Sequence, residues 1–189
     1  MAKLRSKGPD KAKKKVLLGV TASIAAYKAC DIINELRKRG FRVKCAMSKD
    51  AKEFIQPLVL ETLSGQKTAK DLFHLPEERT PEHISLAEEA DIILVAPATA
   101  DIIGKVAAGI SDDILTCAIC AAKGPVVFAP AMNNRMFENP ILQDKISYLK
   151  EKGYYFIEPV VGHLACGRNG VGHLAPLEDI IRRVEDLTK

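Results

Sequence analysis

Short apolar runs alternate with helical patterns along most of this sequence, and that alternation limits the folds open to the chain. The clearest run is Asp91–Ala96, in which every residue after the aspartate is apolar. Such a run is typical of a strand buried on both faces of a parallel sheet. Further strands are predicted at Val16–Val20, Phe41–Met47, Val126–Ala129 and Tyr154–Ile157. Strands that alternate with helices form right-handed β–α–β units, so we predict a single-domain α/β fold with a doubly wound parallel sheet.

Four predicted strands end in small residues that carry hydroxyl or amide groups. These ends are Thr21–Ser23, Ser48, Pro97–Asp101 and Pro130–Asn134. In open parallel sheets, ligands bind at the carboxyl ends of the strands. We therefore expect the four ends to converge on one crevice.

The first of these turns has features of a phosphate site. Within Val16–Lys28 a strand passes through the small residues Gly19–Ser23 into a predicted helix that runs to Arg39. Hydroxyl groups at Thr21 and Ser23 can donate, and the start of a helix supplies unpaired N–H groups and a positive dipole. Neither G-x-G-x-x-G nor G-x-x-x-x-G-K-[ST] is present, so an ordinary connection capped by Ser23 is the alternative.

The charge of the chain is concentrated at its start. The net charge is +4, but residues 1–15 hold seven basic residues and one acidic residue, which leaves 21 basic against 23 acidic residues in 16–189. We predict a disordered basic tail over 1–15 and a functional domain over 16–189, with neither a nucleic-acid nor a membrane partner. A content of 47% hydrophobic and 28% charged residues, without a bilayer-length apolar stretch, predicts a cytoplasmic protein.

Five cysteines in such a chain predict reduced thiols rather than disulfides. Cys117 and Cys120 form a C-x-x-C pair inside an apolar helical run without a second pair, which favours core packing over a zinc site. We predict no metal site. No arrangement of a Ser-His-Asp elbow or of paired carboxylates is recognisable, so hydrolase chemistry is disfavoured.

Two residues near predicted helix starts are candidates for chemistry. The order Thr80, Pro81, Glu82 resembles a helix start, which puts His83 in the first turn, where the dipole favours a neutral ring able to accept a proton. Asn133 follows a predicted buried strand, and its amide can donate to a carboxylate or to a heterocycle edge. The alternatives are a surface histidine without a function and a helix-capping asparagine.

A third candidate, Cys166, lies in the glycine-rich segment Gly162–Gly172, whose composition is typical of a mobile lid. A thiol near Arg168, His163 and His173 is placed to act as an acid or a nucleophile. An incidental loop thiol is the alternative. The two histidines do not have a metal-ligand spacing.

Four blocks in this order and spacing resemble the flavin-containing cysteine decarboxylases, and the resemblance runs from Val16 to the end of the chain. The blocks are Gly19–Lys28, His83–Ile84 with Ala96–Asp101, Pro130–Met136, and Gly162–Gly172. The resemblance implies a flavodoxin-like (Rossmann-like) three-layer fold that binds FMN. It also implies a homotrimer, or a dodecamer built of trimers, with each flavin at a subunit boundary.

The resemblance also implies roles for individual residues. His83 is the implied catalytic base, Asn133 the ligand of the substrate carboxylate, Cys166 the acid of the reductive step, and Met136 a further substrate-binding residue. The implied cofactor-binding residues are Gly19, Thr21, Ala22, Ser23, Ser48, Ala98, Thr99, Ala100, Asp101 and Ala131.

The implied reaction is the FMN-dependent conversion of phosphopantothenoylcysteine to phosphopantetheine in coenzyme A biosynthesis. Its stages are oxidation of the substrate to a thioaldehyde, loss of carbon dioxide and reduction of the resulting enethiol. Association with the ligase that acts before it is a further implication. The alternatives are a peptidyl-cysteine decarboxylase, a flavin prenyltransferase, and a flavin-binding subunit that inhibits a phosphatase.

The chain departs from the family pattern at three places. Glu88-Glu89 stand where Arg-Trp is common, His173-Leu174 where Arg-Met is common, and Phe137 where Trp is common. If that arginine holds the phosphate-bearing end of the substrate, another cation must replace it or the substrate differs.

Overall fold

A computed structural model describes residues 13–72, 80–163, 167 and 169–189 of the chain. Five parallel strands form its central sheet in the order β2-β1-β3-β4-β5, which is the flavodoxin-like order. These strands are β1 (Lys15–Val20), β2 (Arg42–Met47), β3 (Ile92–Ala98), β4 (Val126–Pro130) and β5 (Tyr155–Phe156). The predicted doubly wound parallel sheet is confirmed. Strand β1 begins at Lys15, inside the predicted tail, and residues 1–12 of that tail lie outside the described residues.

Helices connect the strands and cover both faces of the sheet. The α-helices are α1 (Lys28–Lys38), α2 (Pro57–Ser64), α3 (Glu82–Glu89), α4 (Ala100–Ala107), α5 (Ile114–Cys120), α6 (Asn134–Phe137), α7 (Pro140–Glu151) and α8 (Leu177–Leu187). Short 3₁₀ turns occupy Ile24–Tyr27 and Ala51–Glu53. In the described part of the chain, every helix is too short or too polar to cross a membrane.

The alternation of side chains along each strand divides the core into two layers. Val16, Leu18 and Val20 of β1 pack on one face with buried residues of α1 and α8. Leu17 packs on the other face with residues of α3, α5 and α7. All seven residues of β3 are buried, as expected of a central strand with helices on both sides.

The Gly162–Gly172 segment, predicted to be a mobile lid, contains two strands that were not predicted. Its two ends form an antiparallel hairpin of β6 (Val160–His163) and β7 (Asn169–His173). Valines at 160, 161 and 171 supply the β-branched side chains that favour strands, and glycines between them hid the pattern. Residues 164–166 and 168 of the segment lie outside the described residues.

The cysteines of the described residues are free thiols, as predicted. Burial raises the pKa of Cys45 to about 12, so this thiol stays protonated and unreactive. The prediction of core packing is wrong for Cys120, which is exposed. Helix α5 buries Leu115, Ala118 and Ile119, and Cys120 lies on its other face. No group of three metal-ligating side chains occurs within the described ranges.

Candidate functional site

A cleft of about 500 Å³ opens at the carboxyl edge of the sheet, within the size range of small-molecule sites. Turns that follow β1, β3 and β4 form its walls, together with the end of β7. Seven predicted site residues line it: Ala22, Ser23, Thr99, Ala100, Ala131, Asn133 and Met136. Three of the four predicted strand ends therefore meet in one crevice.

Three polar side chains in these turns cap the helices that follow their strands. Ser23 Oγ accepts a hydrogen bond from the Ala25 amide at 3.3 Å. Thr99 Oγ1 accepts from the Ile102 amide at 3.4 Å, and Asn133 Oδ1 accepts from the Arg135 amide at 2.9 Å. Capping by Ser23 and Asn133 is thus confirmed, and both residues also line the cleft. Capping fixes where each helix begins at the cleft.

Thr21 joins two walls of the cleft without lining it. Its buried hydroxyl donates to the Pro97 carbonyl at 2.7 Å and accepts from the Thr99 amide at 3.2 Å. Both hydrogen-bonding directions of this side chain are therefore used within the protein. The residue holds the turn after β1 against the turn after β3, across the cis Ala96–Pro97 bond.

Replacing Thr21 by valine is expected to lower the free energy of unfolding by about 1–3 kcal/mol, because the Pro97 carbonyl and the Thr99 amide lose their buried partner. Urea unfolding measures the change. Thr62→Val is the matched control, since the Thr62 hydroxyl donates to the Leu58 carbonyl at 2.7 Å on an exposed helix surface. Equal effects of the two substitutions would contradict the role assigned to Thr21.

Four other predicted cofactor-binding residues do not line the cleft. A Cβ at Gly19 would lie 2.7 Å from Leu115 Cδ1, so this glycine serves the packing of α5 against β1. Ser48 follows β2, and its amide donates to the Val20 carbonyl. Ala98 is buried within β3, and Asp101 forms an ion pair with Lys105 at 3.3 Å.

His83 lies in the first turn of α3 and does not line the cleft of its own chain. Helix α3 begins at Glu82 with Pro81 at its N-cap, one residue later than the predicted Thr80 cap. The half-buried His83 ring has its Nδ1 atom buried, without a hydrogen-bond partner among the described residues. The described residues therefore leave this nitrogen atom unsatisfied.

The third candidate, Cys166, lies outside the described residues, and so does the side chain of His163. His173, which the sequence placed beside the lid, is described. It lines the cleft from the end of β7, together with Gly172 and Leu174.

The departure at Glu88-Glu89 lies away from the cleft. Glu88 pairs with Lys123 at 3.0 Å, and Glu89 pairs with Lys15 at 3.3 Å, near the amino ends of β4 and β1. Helix α3 thus carries His83 at one end and these ion pairs at the other. Within one chain, the two glutamates do not alter the lining of the cleft.

Sequence reasoning missed several lining residues. Ile24 and Tyr27 are 65% and 57% exposed at the mouth of the cleft. The sequence indicates their exposure, because Ile24 and Tyr27 lie outside the helical face of Ala26 and Ala29, which is buried in the core. Exposed bulky apolar side chains on such a turn indicate a surface that binds a ligand or another protein.

Comparison with known proteins assigns the family. The model of the family described as Flavoprotein matches residues 4–189, so the chain belongs to the Flavoprotein family. A probable phosphopantothenoylcysteine decarboxylase of Streptococcus mutans is 43% identical over 175 residues, which cover 92% of this chain and 98% of that protein.

The coenzyme A biosynthesis bifunctional protein CoaBC of Bacillus subtilis is 45% identical over 170 residues, covering 90% of this chain and 42% of that protein. The chain thus spans about two fifths of the length of the first curated relatives it matches.

Solved structures agree with this family. A PPC decarboxylase mutant complexed with pantothenoylaminoethenethiol is 29% identical, with a TM-score of 0.80 over 92% of this chain and 97% of that one. A peptidyl-cysteine decarboxylase is 30% identical, with a TM-score of 0.79 over 92% of this chain and 99% of that one. The two similarities are nearly equal, so the fold alone does not discriminate between their substrates.

Proposed function

We propose that the chain is an FMN-dependent decarboxylase that converts phosphopantothenoylcysteine to phosphopantetheine. The observation that carries the proposal is the cleft at the carboxyl edge, lined by seven residues of the motifs that resemble cysteine decarboxylases. When bound, FMN would accept two electrons from the thiol-bearing carbon and later return them, so the reaction has no net redox change.

The residues of the cleft fit a flavin mononucleotide. Alanines at 22, 100 and 131 leave room for a flat ring system against the turns. In the 3₁₀ turn Ile24–Tyr27, Ser23 Oγ caps the Ala25 amide and the Ser23 carbonyl accepts from the Ala26 amide, so the Ser23 hydroxyl is the donor proposed for a single terminal phosphate. Ser23 Oγ donates to the Ala131 carbonyl at a long 3.3 Å, so this hydroxyl can turn to a phosphate more easily than that of Thr21.

Asn133 is the proposed ligand of the substrate carboxylate. Its Oδ1 is used in capping α6, which orients the side-chain amide at the cleft wall. The amide nitrogen is a donor of the kind that a carboxylate requires. Met136, 49% exposed on α6, offers an apolar contact to the chain of the substrate.

His83 would act in the cleft of a neighbouring copy. The observation that supports this is that the half-buried ring of His83 does not line the cleft of its own chain. A homotrimer with the site at the subunit boundary would bring the ring of one copy to the Asn133 of the next. The exposed Ile24, Tyr27 and Met136 would then be covered by the neighbour.

The substrate is proposed from the relatives. The Streptococcus mutans relative and the PPC decarboxylase structure favour phosphopantothenoylcysteine as the substrate. Pantothenoylaminoethenethiol in that structure is an enethiol, the species expected before the final reduction. The CoaBC relatives favour association with a ligase, and coenzyme A synthesis in turn favours a cytoplasmic location.

The test is to add FMN to the purified protein and then supply phosphopantothenoylcysteine. We expect a yellow protein with a flavin absorption band, and mass spectrometry should find phosphopantetheine. A peptide that ends in cysteine is the competing substrate, because the peptidyl-cysteine decarboxylase has nearly the same fold similarity. Protein that stays colourless, or turnover of the peptide alone, would refute the proposal.

A further inference from the structure

Strand β7 lies against the turn that carries Asn133, and two of its glycines make this contact possible. A Cβ at Gly172 would lie 2.2 Å from the Met132 carbonyl oxygen, closer than non-bonded atoms approach. A Cβ at Gly170 would lie 2.9 Å from Asn134 Cβ. Side chains at these two positions would therefore push the strand and the turn apart.

A hydrogen bond closes the same contact. The Met132 amide donates to the Gly172 carbonyl at 3.0 Å. Gly172 also has a φ of +136°, in the region that favours glycine over residues with a side chain. Strand β7 is thus built to approach the turn with its backbone alone.

The two contacts lie on either side of Asn133. Gly172 contacts the residue before it and Gly170 the residue after it, so the turn is held at both flanks. Gly162 of the partner strand β6 faces the hairpin instead, where a Cβ would lie 3.0 Å from His173 Cβ.

We propose that Gly172, supported by Gly170, is a positioning residue that sets the place of Asn133 in the cleft. This inference rests on the proposed function for the role of Asn133, but the contact itself does not. Strand β7 then forms a wall of the site and holds the turn that carries Asn133.

The test is Gly172→Ala, measured in two ways. Hydrogen exchange of the Met132 amide, without FMN or substrate, should lose its protection, because the hydrogen bond to Gly172 opens. In the FMN-loaded enzyme, kcat/KM for phosphopantothenoylcysteine should fall by about 100-fold, the loss expected when a substrate ligand moves by about 1 Å. FMN affinity should fall by a smaller factor than kcat/KM, because the turn after β1, the proposed site of the FMN phosphate, is untouched.

Two control variants separate positioning from general damage. Gly109→Ala introduces a side chain at a φ of +71° with nothing within 4 Å, so it tests backbone strain alone. Gly153→Ala repeats this test at a φ of +89°, again with nothing within 4 Å. Both should keep Met132 protection and remain within about threefold of wild-type kcat/KM.

Gly170→Ala is the second variant, in case Gly172→Ala does not fold by circular dichroism. It should also lower kcat/KM, because its side chain would displace Asn134. Wild-type exchange and kcat/KM in both glycine variants, or equal loss in Gly109→Ala, would overturn the inference. An inactive wild-type protein would refute the proposed function instead, and the exchange measurement would still decide whether β7 holds the turn.

Discussion

Cys166→Ser is expected to release carbon dioxide without forming the saturated thiol. Loss of carbon dioxide comes before the step in which the thiol of Cys166 would deliver a proton to the enethiol. Without that proton the reaction should stop at an unsaturated product two hydrogens lighter than phosphopantetheine. Measuring carbon dioxide and product mass in the same reaction tests the expectation.

Cys120→Ser is the control for this experiment. Cys120 is exposed on α5, outside the lining of the cleft, so its replacement should leave both products unchanged. If Cys166→Ser lowers carbon dioxide release and product formation equally, the proposed role of the thiol is wrong.

Mixing two inactive variants is expected to restore activity if the site is shared between copies. His83→Asn and Asn133→Asp should each lower kcat by about 100-fold or more, since each removes a group that would touch the substrate. In a mixed trimer, the Asn133 of one variant meets the His83 of the other. Random mixing should regain about a quarter of the wild-type sites.

The measurement is the activity of co-expressed variants, with the trimer verified by light scattering. His83→Asn mixed with His83→Ala is the control, and it should stay inactive because every site lacks the imidazole. The contrary result is a mixture of His83→Asn and Asn133→Asp that is no more active than either variant alone. It would mean that the two residues do not act together in a site shared between copies.

The sheet was predictable from the sequence because most of its strands are short, continuous apolar runs. An apolar run such as that in Asp91–Ala96 is typical of a strand covered on both faces by helices. The small residues after such runs mark the edge of the sheet where ligands bind. The hairpin of β6 and β7 was not predictable in this way. Glycine gives little strand signal, and at Gly172 it is required by a contact with a turn 40 residues away in sequence.

The residue types of the site were predictable, but the direction of individual side chains was not. One sequence motif contains Gly19, Thr21 and Ser23. In the structure, however, Gly19 packs against Leu115, and the Thr21 hydroxyl donates a hydrogen bond to the Pro97 carbonyl. Only Ser23 of the three lines the cleft. Likewise, the sequence placed His83 in the first turn of its helix, as observed. Whether its ring lines the cleft of its own chain depends on how α3 packs in three dimensions.

The hydrogen bonds between the walls of the cleft have a consequence for ligand affinity. The turn after β1 is joined to the turn after β3 through Thr21 and to the Ala131 carbonyl through Ser23. The Ala131 amide in turn donates to the Ala98 carbonyl at 3.0 Å. A ligand therefore meets walls that are already fixed to one another, and little conformational entropy remains to be lost on binding. Such a preorganised cleft favours a tightly held cofactor over one that exchanges at each turnover.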